Sequence, residues 1–148
     1  MRISAKGRYG LAAMIVIAQG DFDGNYVPVI VISEKLGLSK IYLEQVFSLL
    51  KRAGLVSSVK GAQGGYRLAK SPDTMSAYEI LASLEQILFE STESSVEEQA
   101  PFIEQVMQTF VFDVLDATVK EKMEQITLSQ LVTESNKFKD KSNFMFFI

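Results

Sequence analysis

The apolar residues of the first third of the chain recur at helical spacing. Leu11, Met14, Ile15 and Ala18 stand at i, i+3, i+4 and i+7 between Gly7 and Gln19, the stripe of one helix face. Gly20 and then Asp23-Gly24-Asn25 break it. The next run, Val27-Pro28-Val29-Ile30-Val31-Ile32, is β-branched and reads locally as a strand. Behind it, Ser33-Glu34-Lys35-Leu36-Gly37 closes like a helix with glycine at its C-terminal side. The residues alone leave this segment open between strand and helix. Ser39 is then placed to cap a helix over residues 39 to 53 that gathers Leu43, Val46, Phe47 and Leu50 on one face. Lys40, Glu44, Ser48 and Lys51 lie away from that face, and Gly54 ends the helix.

Two short runs, Leu55 to Val59 and Tyr66 to Ala69, flank Lys60-Gly61-Ala62-Gln63-Gly64-Gly65. Glycines here permit a tight turn, so the spacing predicts a β-hairpin. Ser76-Ala77-Tyr78-Glu79 has the form of a capping box and predicts a helix through Ile80, Leu81, Leu84 and Leu88. Residues 90 to 99 are polar and acidic and read as a mobile connection. Beyond Pro101 the strongest periodicity in the chain begins. Phe102, Val106, Phe110, Leu115 and Val119 form one row, joined by Ile103, Met107, Val111, Val114 and Thr118 on adjacent rows. The stripe is wide for a surface helix, so a long helix that packs on its own domain and on a second subunit is expected, with Phe102, Val106, Phe110, Val114 and Leu115 at the dimer contact. Thr127-Leu128-Ser129-Gln130 is a second capping box and predicts a short helix to about Glu134. A polar tail follows, ending Phe144-Met145-Phe146-Phe147-Ile148. Five displayed apolar residues are an aggregation liability, which favours packing of this end against the dimer helix.

The expected organisation is therefore a mainly α chain with a small β-hairpin. It comprises a first unit over residues 1–88, an acidic linker over 89–100, a dimerisation helix with a short following helix over 101–135, and a tail over 136–148. With 148 residues, 47% of them hydrophobic and 22% charged, such a chain can bury a core. Its charge is divided. Residues 1 to 70 carry ten Lys and Arg against four Asp and Glu, and residues 71 to 148 carry five against fourteen, so a basic first half precedes an acidic second half within a net charge of −3. That division points to a polyanion-binding module joined to a partner-binding segment.

Cys and His are both absent. Their absence removes disulfides, Cys/His zinc sites, thiolate-held clusters and catalysis by thiol or imidazole. Only Ser/Lys or carboxylate chemistry remains, and no constellation for it stands out. Residues 61 to 65 lack the Gly-Lys-Ser/Thr ending of a phosphate-binding loop, and Glu97-Glu98 reads as solvated charge rather than a metal site. No cofactor and no enzymatic activity are expected. The first residues lack the apolar run of a signal peptide, and no stretch reaches the ~20 apolar residues of a membrane span, so a cytoplasmic protein without a membrane partner is expected.

A helix, a Gly-Leu-Ser turn, an amphipathic helix and a glycine-tipped hairpin follow one another in the order of a winged helix-turn-helix, whose second helix enters the DNA major groove. On that reading Tyr42 stacks, or donates its O–H to a phosphate, and Glu44 accepts from a cytosine amino group. Ser39, Lys40 and Gln45 hold the backbone, while Lys60 and Gln63 reach the adjacent minor groove or its phosphates.

Specific motifs support this. Ile3-Ser4-Ala5-Lys6-Gly7-Arg8-Tyr9-Gly10, Leu38-Ser39 followed by Tyr42-Leu43-Glu44-Gln45, Ala53-Gly54-Leu55-Val56 and Gly61-Ala62-Gln63-Gly64-Gly65-Tyr66 closely resemble the IscR/CymR-type transcription regulators, the Rrf-two family. The resemblance extends along the chain to Ile126-Thr127-Leu128. It implies a homodimeric regulator on a roughly palindromic double-stranded DNA site, with contacts at Ile41, Tyr42, Glu44, Gln45 and Lys60, and a helix over about Val29 to Leu36. Lys6 and Arg8 of the first motif and Arg67 of the wing add positive charge as further DNA-contact candidates. Three departures stand out. No cysteine lies in the segment 85 to 99 where the family's cluster-binding members carry them, Ile41 replaces a small polar residue and offers apolar contact to a thymine methyl, and Arg67 replaces an apolar wing residue.

Within the family, the absence of cysteine and the ending Phe144 to Ile148 are most similar to the repressors of cysteine metabolism. That similarity implies O-acetylserine thiol-lyase (cysteine synthase) as a partner, with Ile148 and its carboxylate as the anchor. The competing expectation is an adaptor that keeps the winged fold and docks an enzyme through this tail without binding DNA.

Overall fold

The computed structural model describes residues 1–20, 25–61, 64–91 and 93–146. In chain order the elements are α1 (Ala5–Gln19), α2 (Val29–Leu36), α3 (Lys40–Arg52), β1 (Val56–Val59), β2 (Gly65–Leu68), a 3-10 turn (Pro72–Thr74) and α4 (Ala77–Leu84). There follow α5 (Pro101–Met107), a π-helical segment (Gln108–Phe112), α6 (Asp113–Gln125) and α7 (Leu128–Phe146). Mainly helical with one antiparallel hairpin, it has the expected class.

Side-chain caps start α1, α3, α4 and α7. Ser4, Ser39 and Ser76 each accept a backbone N–H three residues on, at 3.2, 3.0 and 3.0 Å, satisfying donors that an uncapped first turn would leave unpaired. Thr127 and Gln130 complete a reciprocal box, each side chain bonding the other's backbone N–H at 3.1 Å. Between α2 and α3, Gly37 sits in the left-handed region at φ 66°, which a residue with a Cβ adopts only at a cost. The tight turn it makes brings α3 across α2.

The ambiguous β-branched run resolves residue by residue. Val27 exchanges two backbone hydrogen bonds with Tyr66, at 2.8 and 2.9 Å, and so extends the hairpin by one bridge. Pro28 then caps α2 with extended backbone, and Val29–Leu36 is helical. The strand signal therefore survives only at Val27, as a single bridge, and the helix displaces it from Val29 onward.

The core lies among α1, α2, α3, the hairpin and α4, around the fully buried Met14, Ile32, Leu43, Phe47, Leu50 and Ile80. Leu128 of α7 belongs to it as well. Two backbone bonds, Ala77 N–H to the Ile126 carbonyl and Leu128 N–H to the Met75 carbonyl, both 2.8 Å, stitch the returning chain to the start of α4. A smaller cluster of Leu81, Leu88 and Met123 fixes α6 against α4.

Two boundaries differ from the expectation. The fourth helix stops at Leu84, short of Leu88. Glu85 leaves it in extended conformation, and its carboxylate accepts from the Ser4 N–H and hydroxyl at 2.7 and 2.8 Å, a contact with a segment distant in sequence that holds the chain off the helical path. The last helix does not end near Glu134 but continues to Phe146. The stretch from 135 to 143 holds neither Gly nor Pro to stop it, and Lys137 pairs with Glu134 one turn away at 2.9 Å. Phe144 and Met145 are exposed on this helix, so within one chain they do not pack against the α5–α6 helix as expected. Phe147 and Ile148 lie outside the described residues, as do Asp23 and Gly24. The end of the acidic linker is anchored. Glu104 accepts from the N–H of Val96 and from the N–H and hydroxyl of Ser95 at 3.0 to 3.2 Å, and these bonds, that of Val96 foremost, hold its carboxyl below the usual range.

From Pro101 to Gln125 the chain is one helix carrying a π turn, and the turn explains an irregularity of the apolar row, whose steps of four become a step of five between Phe110 and Leu115. Phe102 and Phe110 are 81% and 72% exposed, an uncovered apolar stripe of unusual extent for a single chain.

The Val27–Tyr66 bridge depends on Gly65. A Cβ there would drive into the backbone of Val27 and Pro28, so Gly65→Ala is expected to destabilise the fold by about 1–3 kcal/mol, read as a lower midpoint in chemical denaturation. An unchanged midpoint would mean the bridge contributes nothing.

Candidate nucleic-acid interface

The apolar face of α3 (Leu43, Val46, Phe47 and Leu50) is buried, and at about 100° per residue this turns Ile41, Gln45, Ser48 and Arg52 outward. Ile41 is 73% exposed. Lys40, Glu44, Ser48 and Lys51 form the flank turned to the hairpin. With Ser58 and Lys60 they line a cleft of about 650 Å³ between α3 and the wing. Three lysines against one glutamate make it electropositive, and Lys51 Nζ donates to Ser58 Oγ at 2.7 Å across it.

Tyr66 fixes the wing to the helix. Its ring stacks on Phe47 with centroids 4.2 Å apart and planes 12° from parallel, an aromatic contact worth about 0.5–1.5 kcal/mol beyond its burial. Burial, and then the nearby Glu44 carboxylate, push the Tyr66 phenol above its ordinary value.

The opposite flank of α3 meets α1. Tyr42 lies edge-on to Tyr9 at 5.8 Å, and its phenol is likewise raised, by burial first, then by Tyr9 and Glu85. Lys6 and Arg8 stand on the first turns of α1 beside Tyr9, Arg8 exposed and Lys6 half-buried. Gly7 admits the Glu85 carboxylate and Gly10 admits Leu84 against the α1 backbone, so the glycines of the first motif bring α1 and the end of α4 close together.

The structure thus gathers Lys40, Glu44 and Lys60 in the cleft, with Ser39, Ile41 and Gln45 on the adjoining surface of α3. Tyr42 is half-buried at the margin. Arg67 is separated from this group. Strand alternation turns it to the face opposite Tyr66, where its guanidinium lies 4.6 Å over the Tyr26 ring and Nε donates to Ser57 at 3.4 Å. Gln63 lies outside the described residues. Ser48, Lys51 and Ser58 line the cleft although they were not among the candidates. The signal for the first two was the row 40, 44, 48, 51, already recognisable as a non-core face. Among the described residues no group of acidic side chains is arranged to hold a metal ion.

The model of the family described as "Rrf2: Iron-dependent Transcriptional regulator" matches residues 3–134. The chain belongs to the Rrf2 family. Regulators of this family bind DNA and are dimers, and the homologues are transcription regulators, not enzymes. The IscR regulator of Erwinia tasmaniensis is 34% identical over 132 residues, 89% of this chain and 79% of its own length. That of Photobacterium profundum is 44% identical over 86 residues, but the match spans 49% of its length, so the chain aligns with only about half of this second relative. Among solved structures, CymR, the global cysteine regulator of B. subtilis, superposes with a TM-score of 0.68 at 34% identity, covering 90% of this chain and 98% of that one. IscR of T. potens gives a TM-score of 0.69 at 35% identity, covering 91% and 88%. Among the described residues no helix is long and apolar enough to cross a membrane.

The raised phenols predict alkaline sensitivity. For a group whose folded pKa exceeds its unfolded value of about 10, the stabilisation is complete below the unfolded value and is lost as pH rises through the folded one. Denaturation midpoints should fall as pH is raised beyond about 10, and Tyr66→Phe should flatten that fall. An equal fall in the variant would assign the sensitivity elsewhere.

Proposed function

We propose that this Rrf2 chain is a homodimeric, sequence-specific repressor that sets α3 in the major groove and the hairpin at the adjacent minor groove. The observation that carries this reading is the lysine-lined cleft between α3 and a wing held rigidly against it, beside an exposed helix face bearing Ile41, Glu44 and Gln45. A helix supplies base edges with donors and acceptors, and Lys40, Lys51 and Lys60 supply the phosphate attraction that fixes its register. Ile41 offers a thymine methyl an apolar contact. Ser39 and Tyr42 contribute backbone contacts from the helix start, and Lys6 and Arg8 from α1. Arg67, on the far side of the hairpin, takes no direct part.

Dimerisation uses the exposed stripe of Phe102, Val106, Phe110, Val114 and Leu115, an apolar surface that a second copy can cover by two-fold symmetry. Likeness to a cysteine regulator over nearly its whole length favours genes of cysteine or sulfur metabolism as targets. Docking of cysteine synthase at Ile148 gains no support from the relatives and is not part of the proposal, nor is the adaptor reading, which leaves the basic cleft unused.

Selection of binding sites from random duplex DNA should enrich a palindrome, and affinity should fall steeply with added salt. Lys60→Ala should weaken binding to all sequences and lower the salt slope by about 1, whereas Glu44→Ala should relax preference at one position per half-site at a cost of about 1–3 kcal/mol. An unchanged preference matrix in Glu44→Ala would refute the groove assignment. Phe110→Glu should give monomers in analytical ultracentrifugation and lose the palindromic requirement; a dimer of unchanged stability would remove the stripe from the interface.

A further inference from the structure

A second cavity, of about 470 Å³, opens on the side of the molecule where α1, α2 and α7 meet. Its size falls within the range of small-molecule sites, and it is distinct from the α3–wing cleft, with which it shares no lining residue. Its floor is aliphatic. Ala12, Ile15 and Val16 come from one face of α1, and Leu36 from the end of α2.

The rim is built of donors. Lys35 of α2 and Lys139, Ser135 and Asn136 of α7 surround the opening, and no acidic side chain lines it among the described residues. A hydrogen-bond chain already holds part of this rim in place. Lys35 Nζ donates to Gln19 Oε1 at 3.3 Å, and Gln19 Nε2 donates to Ser135 Oγ at 2.7 Å. As an acceptor in that bond, Ser135 keeps its own O–H to donate, Lys35 keeps further N–H donors, and Asn136 has an amide NH₂. Lys139 stands in none of the described ion pairs or hydrogen bonds. Two ammonium groups and two neutral donors over an aliphatic floor suit a carboxylate head with a short branched hydrocarbon body. The head would meet the lysines in charge-assisted hydrogen bonds, and the body would cover Ile15, Val16 and Leu36.

The geometry points to this cavity as a binding site for a small aliphatic carboxylate, held between Lys35 of the helix-turn-helix and Lys139 of the C-terminal helix. The site stands on the α1–α2–α7 geometry and does not rest on the DNA-binding reading.

Isovalerate is the probe, with isovaleramide matching its shape without charge and acetate matching its charge without the hydrocarbon body. In amide-resolved NMR titrations of the full chain, isovalerate should shift the backbone signals of Gln19, Lys35, Leu36, Ser135 and Lys139 as a saturating set, and the other two should shift them far less. Lys139→Gln, an exposed change whose spectrum reports folding directly, should weaken isovalerate roughly tenfold, the loss of one charged hydrogen bond. Lys137→Gln, two residues away on the opposite side of α7 and paired with Glu134, should leave it unchanged. No shifts in that set, equal shifts with acetate or with isovaleramide, or equal weakening by both lysine variants would each overturn the site and leave the lysines as surface charge.

Discussion

The stacked pair Phe47 and Tyr66 is the contact on which the geometry of the binding face depends. Phe47 is fully buried beneath α3, and Tyr66 is the residue of β2 that exchanges backbone bonds with Val27. One side chain therefore touches the helix while its backbone is tied to the segment leading into α2. A two-stranded hairpin alone is marginally stable. Here the ring on one side and the extra bridge on the other give it a fixed distance from α3, and with it a defined width to the cleft lined by Lys40, Glu44 and Lys60.

The second half of the chain is bound to the first by closure rather than by continuity. After α4 the chain leaves the core through the acidic linker and returns through α6. Met123 then packs on Leu81, Thr127 pairs beside Ser76, and Leu128 enters the main core. Two short backbone bonds at 2.8 Å thus define where α7 begins, and α7 runs back along α1. The first half of α7 and the recognition segment are in this way built on the same helix, α1, although they lie far apart in sequence.

Much of this was legible in the residues because the signals were local. Caps at Ser39, Ser76 and Thr127, the glycine after α2 and the hairpin turn depend on neighbours within a few positions, and each stands where the spacing set it. The long helix announced itself by periodicity. What could not be read were contacts between distant segments. Nothing near Glu85 says that its carboxylate will serve Ser4, so the early end of α4 was hidden. Nothing near Arg67 says that Tyr26 will take its guanidinium, so its position on the hairpin was hidden. The length of α7 was missed for another reason: a polar helix without a buried stripe carries no periodic signal. At the binding face, the row of Lys40, Glu44, Ser48 and Lys51 was visible as a non-core surface, but the approach of the wing, which turns that surface into a cleft, comes from tertiary packing.

The π turn at Gln108–Phe112 sets the angular phase of the helix that contains it. In an unbroken α-helix, Phe102 and Met123 would project only about 60° apart, so a helix seated on α4 through Met123 would direct Phe102 toward its own domain. The turn absorbs one extra residue, and the separation becomes about 160°. Met123 is accordingly buried at 8% exposure while Phe102 stands at 81%. One inserted residue thus lets a single helix face two directions, inward at one end and outward at the other. Winding the π turn into regular α-helix with every residue kept would swing the outer aromatics round by about 100°.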